Sequence, residues 1–201
     1  EAEELKEELN LQYINVIDFD GVLQYEKNRF CYKIDTYIKI RTAIDEILEN
    51  VDRETDELCK VLEVYKILGT TIMYDNILEE ANLAKSSNLE NGLLEKKCID
   101  IGFAEIFKNA LSILGINSKM VRGNYAGISE EHVWNQVQIC GKWYNADIGL
   151  DSKKMSNSNK FKSKPIYCLL SDKEFRKTHT PNAGNNEYCP ESIHPKIISH
   201  Y

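Results

Sequence analysis

Three patterns in the sequence predict an α+β domain with a helix packed on an antiparallel sheet. The first is a helical period, in which Ile99, Phe103, Ile106, Phe107, Ala110, Leu111 and Leu114 recur before a stop at Gly115. The second is a change to strand-like texture in "SKMVRG", "EHVWNQVQI", "KWYNADIG" and "PIYCLLS". The third is order: helices come first, strands follow, and the connections are short. That order disfavours a parallel βαβ arrangement.

Taken from the start, residues 1–10 read as helix and "YINVIDF" at 13–19 as a short strand. Apolar residues at 38, 40, 44, 47 and 48 predict a helix over 38–48. Leu58, Val61, Leu62, Val64, Tyr65 and Leu68 predict another over about 57–68. "AKSSNLENG" at 84–92 reads as loop. Residues 1–56 form an N-terminal, helical elaboration of the same domain, and 57–201 its core.

The 201 residues suffice for one sizeable core. A net charge of -7 disfavours nucleic acid or an anionic membrane as a general partner, because phosphates are repelled on average. The lysine-rich run "KKMSNSNKFKSK" at 153–164 holds no acid and reads as a solvated loop. No apolar run approaches the ~18 residues of a membrane span. The composition is that of a soluble protein, and a removed signal or anchor is compatible with it. Six cysteines without CxxC pairs describe neither a disulfide framework nor a zinc ribbon, so the compartment stays open.

"EHVWNQVQICGKWYNADIG" reads as two strands joined at Cys140-Gly141. A two-residue loop places Ile139 opposite Lys142 and Trp134 opposite Asp147. His132 and Asp147 then share a sheet face on a diagonal of roughly 7–8 Å. A carboxylate at that distance can fix the imidazole's tautomer and raise its basicity.

"GFAEIFKNALSILGI" at 102–116, "HVWNQVQICGKWYNAD" at 132–147 and the trailing "GLD" together resemble the transglutaminase-like superfamily. "IMYD" at 72–75 and "YCLLSDKEFRKTHTP" extend the likeness over about 57–190. The resemblance implies a papain-like core that sets a cysteine at a helix N-terminus against a histidine and an aspartate on neighbouring strands. His132 and Asp147 take the latter two positions. Trp134, Asn135 and Trp143 are expected to line the cleft.

The family's cysteine stands two residues before a Gly or similar residue and three before an aromatic. Counting back from Gly102, Phe103 and Gly115 reaches Asp100. A helix N-terminus accommodates a carboxylate as it does a thiolate, and Asp is also a good N-cap. As an acyl-transfer nucleophile, however, a carboxylate is a poor substitute. Cys98 lies two residues early and reads as a small buried residue. It is also the one candidate thiol for an active cysteine peptidase or acyltransferase with His132 and Asp147. A further reading makes Asp100, His132 and Asp147 a ligand set for a divalent cation.

"VIDFDGVL" resembles the first motif of haloacid-dehalogenase phosphatases through Asp18 and Asp20, an Mg-dependent alternative that needs a parallel α/β frame. "CPESIHPKIISH" brings Cys189, His194 and His200 close in sequence but matches no closed zinc arrangement. The expectation is therefore a catalytically impaired transglutaminase-like domain with no cofactor. Its old cleft would bind a peptide or protein, a cell-wall peptide among the candidates.

Overall fold

A computed structural model of the chain describes residues 14–16, 22–25, 31–76, 89–126, 131–157, 165–184 and 186–193, with side chains from residue 38 onward apart from 155–157. The expected helix at 1–10, Asp18, Asp20, His194 and His200 lie outside the described residues. So does most of the lysine-rich run, although its start, Lys153 to Asn157, is helical rather than loop.

Strands β1 (Ile14–Val16), β2 (Val22–Tyr25) and β3 (Cys31–Lys33) make an antiparallel meander, with Ile14 opposite Tyr25 and Leu23 opposite Tyr32. Two helices follow, α1 (Ile34–Leu48) and α2 (Glu57–Thr71). The Asp56 carboxylate accepts from the Cys59 amide at 2.8 Å and so caps α2. Next come β4 (Met73–Tyr74), α3 (Leu89–Leu94) and β5 (Lys97–Cys98), with β4 and β5 parallel. Helix α3 corrects part of the loop expected at 84–92. Its Leu89, Gly92 and Leu93 are buried, and that packing overrides a loop-like composition.

Helix α4 spans Asp100–Ile113. Gly115, at φ 74°, ends it with the Ile116 amide bonded to the Leu111 carbonyl and the Gly115 amide to that of Ser112. This is the paired hydrogen bonding of a glycine-terminated helix, as the sequence predicts. The other end differs from a simple cap: Ile99 occupies the N-cap position, and Asp100 is the first helical residue.

The main sheet contains β6 (Ser118–Tyr125), β7 (His132–Ile139), β8 (Lys142–Ala146) and β9 (His179–Pro181), in the order β8-β7-β6-β9. All its pairings are antiparallel. Ile139 faces Lys142 and Asn135 faces Ala146, the register read from the sequence. Cys140 (φ 48°) and Gly141 (φ 78°) both adopt the left-handed conformations that a two-residue hairpin requires. "PIYCLLS", expected as a strand, contributes only an isolated bridge between Asn145 and Leu170. Leu169, at φ 55°, breaks the extension there. Helices α5 (Ile148–Asn157) and α6 (Asp172–Phe175) complete the described elements.

The sheet is covered on both faces. Val137, Ile139, Tyr144 and Ala146 join the principal core with α1, α2 and α4. On the other face Val121 and Trp134 pack with Leu150, Tyr167 and Phe175. Gly123 permits this closure, since an added Cβ would run into the Thr180 carbonyl and the Trp134 ring. Among the described residues no helix is long and apolar enough to cross a membrane.

Candidate functional site

Three chain segments meet at the head of α4. Strand β7 begins with His132, β8 runs out into Asp147 at the start of α5, and α4 begins with Asp100. The His132 Nε2–H donates to Asp147 Oδ2 at 2.6 Å. Its Nδ1 forms an ion pair with Asp100 Oδ2 at 2.7 Å. The imidazole thus lies between two carboxylates, and its residue is 1% exposed.

Asp147 serves two structures. Its Oδ1 accepts from the Leu150 amide at 2.9 Å, capping α5, while Oδ2 faces the imidazoles. Asp100 Oδ2 also accepts from the Val133 amide at 2.9 Å. The side chain therefore ties the first turn of α4 to β7. Gly149 lets the two helix starts approach: a Cβ there would lie 3.0 Å from the Asp100 Cα and 3.3 Å from its Cβ.

Electrostatics follow from this enclosure. Burial opposes a charged ring at His132, but the Asp147 and Asp100 carboxylates raise its pKa to about 10. Burial likewise opposes ionisation of Asp147, but His132 and His179 hold its carboxyl well below the usual range. Both ring nitrogens thus face carboxylate oxygens, which favours the protonated ring.

The sequence reading missed His179. Fully buried on β9, it brings Nε2 to 3.1 Å from Asp147 Oδ2. Its Nδ1 faces the Thr178 hydroxyl at 3.0 Å and the Phe175 carbonyl at 3.3 Å. The ring stacks on Phe175 with centroids 3.7 Å apart. The signal lay in the closing segment "THTP", but nothing local fixes how β9 registers against β6.

Other expected residues separate. Trp134 is 6.1 Å from His132 between ring centroids and packs on Phe175 and His179. Asn135 points to the opposite face, where its amide donates to the Ala104 carbonyl of α4 at 2.9 Å. Trp143 sits opposite Gln138, about 20 Å along the strand from His132, with Lys119 over its ring. Asn135 and Trp143 therefore are not brought to the histidine.

Cys98 is fully buried in the principal core. A Cβ on Gly92 would come within 3.1 Å of its Sγ. Burial, reinforced by Asp100 and Asp75, pushes the thiol pKa far up. Both His132 nitrogens already face carboxylates, leaving neither for a thiol. The antiparallel sheet differs from the frame that a phosphatase built on Asp18 and Asp20 would need.

The proposed metal set of Asp100, His132 and Asp147 also changes. Asp100 and Asp147 bind opposite edges of the ring, so the three cannot converge on one ion through a single ring nitrogen. His132, Asp147 and His179 do present three potential ligand atoms within 4.8 Å of one another. Hydrogen bonds of 2.6 and 3.1 Å satisfy that group without an ion.

Tyrosines wall the site. Tyr74 stacks on Phe103 of α4, with centroids 6.3 Å apart. The Tyr125 ring lies 5.8 Å from His132, and its hydroxyl is 3.2 Å from that of Tyr167. Asp151, behind this wall, accepts from Tyr65 and from the Ile166 and Tyr167 amides; burial raises its pKa to about 6 despite these bonds.

Several solved structures align with the chain at low identity. A TGase aligns with TM-score 0.48 and 20% identity over 73% of this chain and 37% of its own. A candidate cysteine protease from Cytophaga hutchinsonii gives 0.46 and 14% over 57% and 39%. An arylamine N-acetyltransferase from Bacillus cereus gives 0.43 and 14% over 56% and 49%. The chain therefore spans less than half the length of each. No curated protein sequence matches it significantly. The family model of the transglutaminase-like superfamily matches residues 45–148, which include α2, α4, His132 and Asp147. Over more than half its length, the chain belongs to the transglutaminase-like superfamily.

Proposed function

We propose that this is a catalytically impaired transglutaminase-like domain that engages a peptide or protein, a cell-wall peptide among the candidates, through the former active-site cleft. The observation that carries the reading is the Asp100 carboxylate 2.7 Å from His132 Nδ1 at the head of α4. By the family resemblance, that is where an attacking thiolate belongs. An active relative would attack a glutamine or peptide carbonyl with sulfur, using histidine as base and then acid. Here Asp100 is the weaker nucleophile, and His132 is ion-paired on both sides. The cluster holds α4, β7 and α5 together and leaves the surrounding walls for recognition.

The test combines acyl transfer with thiol mapping. The protein is incubated with a glutamine-containing peptide and a fluorescent primary amine, then treated with iodoacetamide and mapped by mass spectrometry. The expected result is no amine incorporation or amide hydrolysis above buffer, with alkylation at exposed Cys140 and not at Cys98. Selective alkylation of Cys98 accompanied by loss of a measurable activity would overturn the proposal.

A further inference from the structure

Lys153 and Lys154 are consecutive on α5 but reach two different tyrosines of the site wall. Lys153 Nζ lies 4.9 Å from the centre of the Tyr74 ring. Lys154 Nζ lies 4.4 Å from that of Tyr167 and 3.1 Å from its hydroxyl. Through Phe103 and Tyr125, these rings connect to the head of α4 and to His132. The ammonium groups thus flank the Asp100–His132 site.

Neither lysine has a carboxylate partner among the described residues. Among those residues Lys97, Lys119, Arg122, Lys142, Arg176 and Lys177 each have one within 3.2 Å, whereas Lys153 and Lys154, like Lys60 and Lys173, do not. Met73 and Ile166, the residues before Tyr74 and Tyr167, are 60% and 54% exposed. Exposed apolar side chains thus adjoin both tyrosines in the sequence.

We propose that this mouth receives an acidic peptide segment of a partner protein. Its carboxylates meet Lys153 and Lys154, and its apolar side chains lie against Met73, Ile166 and the tyrosines. The inference rests on reading the cleft as a binding site and adds the charge of its occupant. The two ammonium groups attract the peptide's carboxylates locally, and the chain's acidic remainder disfavours its binding at other surfaces. Two discrete cations do not make the continuous basic stripe that a nucleic-acid backbone would track.

Fluorescence anisotropy tests this with a fluorescein-labelled Glu/Phe peptide, its Gln/Phe counterpart and a labelled oligothymidylate of equal length. The Glu peptide should bind about tenfold tighter than the Gln peptide, from two exposed ion pairs. Its affinity should fall with added salt and by about tenfold or more in K153E/K154E. K153Q/K154Q should give a smaller loss in the same direction. Equal binding of the two peptides, no binding by either, or insensitivity to both double variants would overturn the proposal. Tighter binding of the oligothymidylate would overturn it in favour of a nucleic-acid surface. Failure of the underlying impaired-enzyme reading would appear separately, as acyl transfer by the wild-type chain.

Discussion

His132 Nδ1 pairs with Asp100 Oδ2 at 2.7 Å, and the same oxygen accepts the Val133 amide, so one carboxylate holds both the ring and the first peptide of β7. A thiolate at the same point could pair with the ring, but would accept the amide only weakly. The arrangement is consistent with Asp100 as a structural tie. Replacing Asp100 by Asn retains an acceptor but removes the charge. D100N should destabilise the fold by about 1–3 kcal/mol in urea unfolding and lower the His132 pKa by NMR titration. An unchanged His132 titration would contradict the pairing.

The linked titrations predict a dependence of stability on pH. His132 is raised from 6.5 to about 10, so its contribution is fully present below 6.5 and is lost as pH rises through 10. Asp147 is depressed from 3.8, so its contribution is present above 3.8 and is lost as pH falls through the lower folded value. The two shifts largely describe one shared interaction and are not additive. Urea midpoints should decline between about pH 7 and 10 in wild type. H132Q should flatten that alkaline decline, and a parallel decline in the variant would place its cause elsewhere.

His179 supplies a second donor to Asp147 while filling space against Phe175. H179F keeps an aromatic ring but removes the donor, and should cost about 1.5–3 kcal/mol by urea unfolding. Loss below about 0.5 kcal/mol would show that the hydrogen bond contributes little beyond packing.

G149A tests the approach of the two helix starts. The added methyl would press on Asp100 from 3.0–3.3 Å and force α4 and α5 apart by a few tenths of an ångström. A cost of about 1–3 kcal/mol is expected, with shifted His132 ring resonances. Wild-type stability with unchanged resonances would contradict the proposed packing.

Local chemistry made parts of the site legible. A two-residue turn at Cys140-Gly141 sets strand parity, and parity alone places His132 and Asp147 on one face. Gly115 and the apolar period of α4 locate Asp100 at the helix head. His179 was not legible, because it reaches Asp147 through a long return that includes the irregular segment around Leu169. "PIYCLLS" looked like a strand because Tyr167, Cys168 and Leu169 are buried, but burial does not require extension. Trp143 shares the face of His132, yet face parity carries no information on separation along the strand. Within the expected loop, residues 89–92 misled because buried Leu89, with Leu93 just beyond, outweighs the polar letters.

The most direct test of the central claim is alkylation of D100C beside wild type, mapped residue by residue across neutral pH. A new reactive thiol is expected at the substituted position, while Cys98 stays unlabelled in both proteins. Labelling of Cys98 in wild type, with the introduced thiol inert in the folded variant, would contradict the assignment of position 100 to the nucleophile's place.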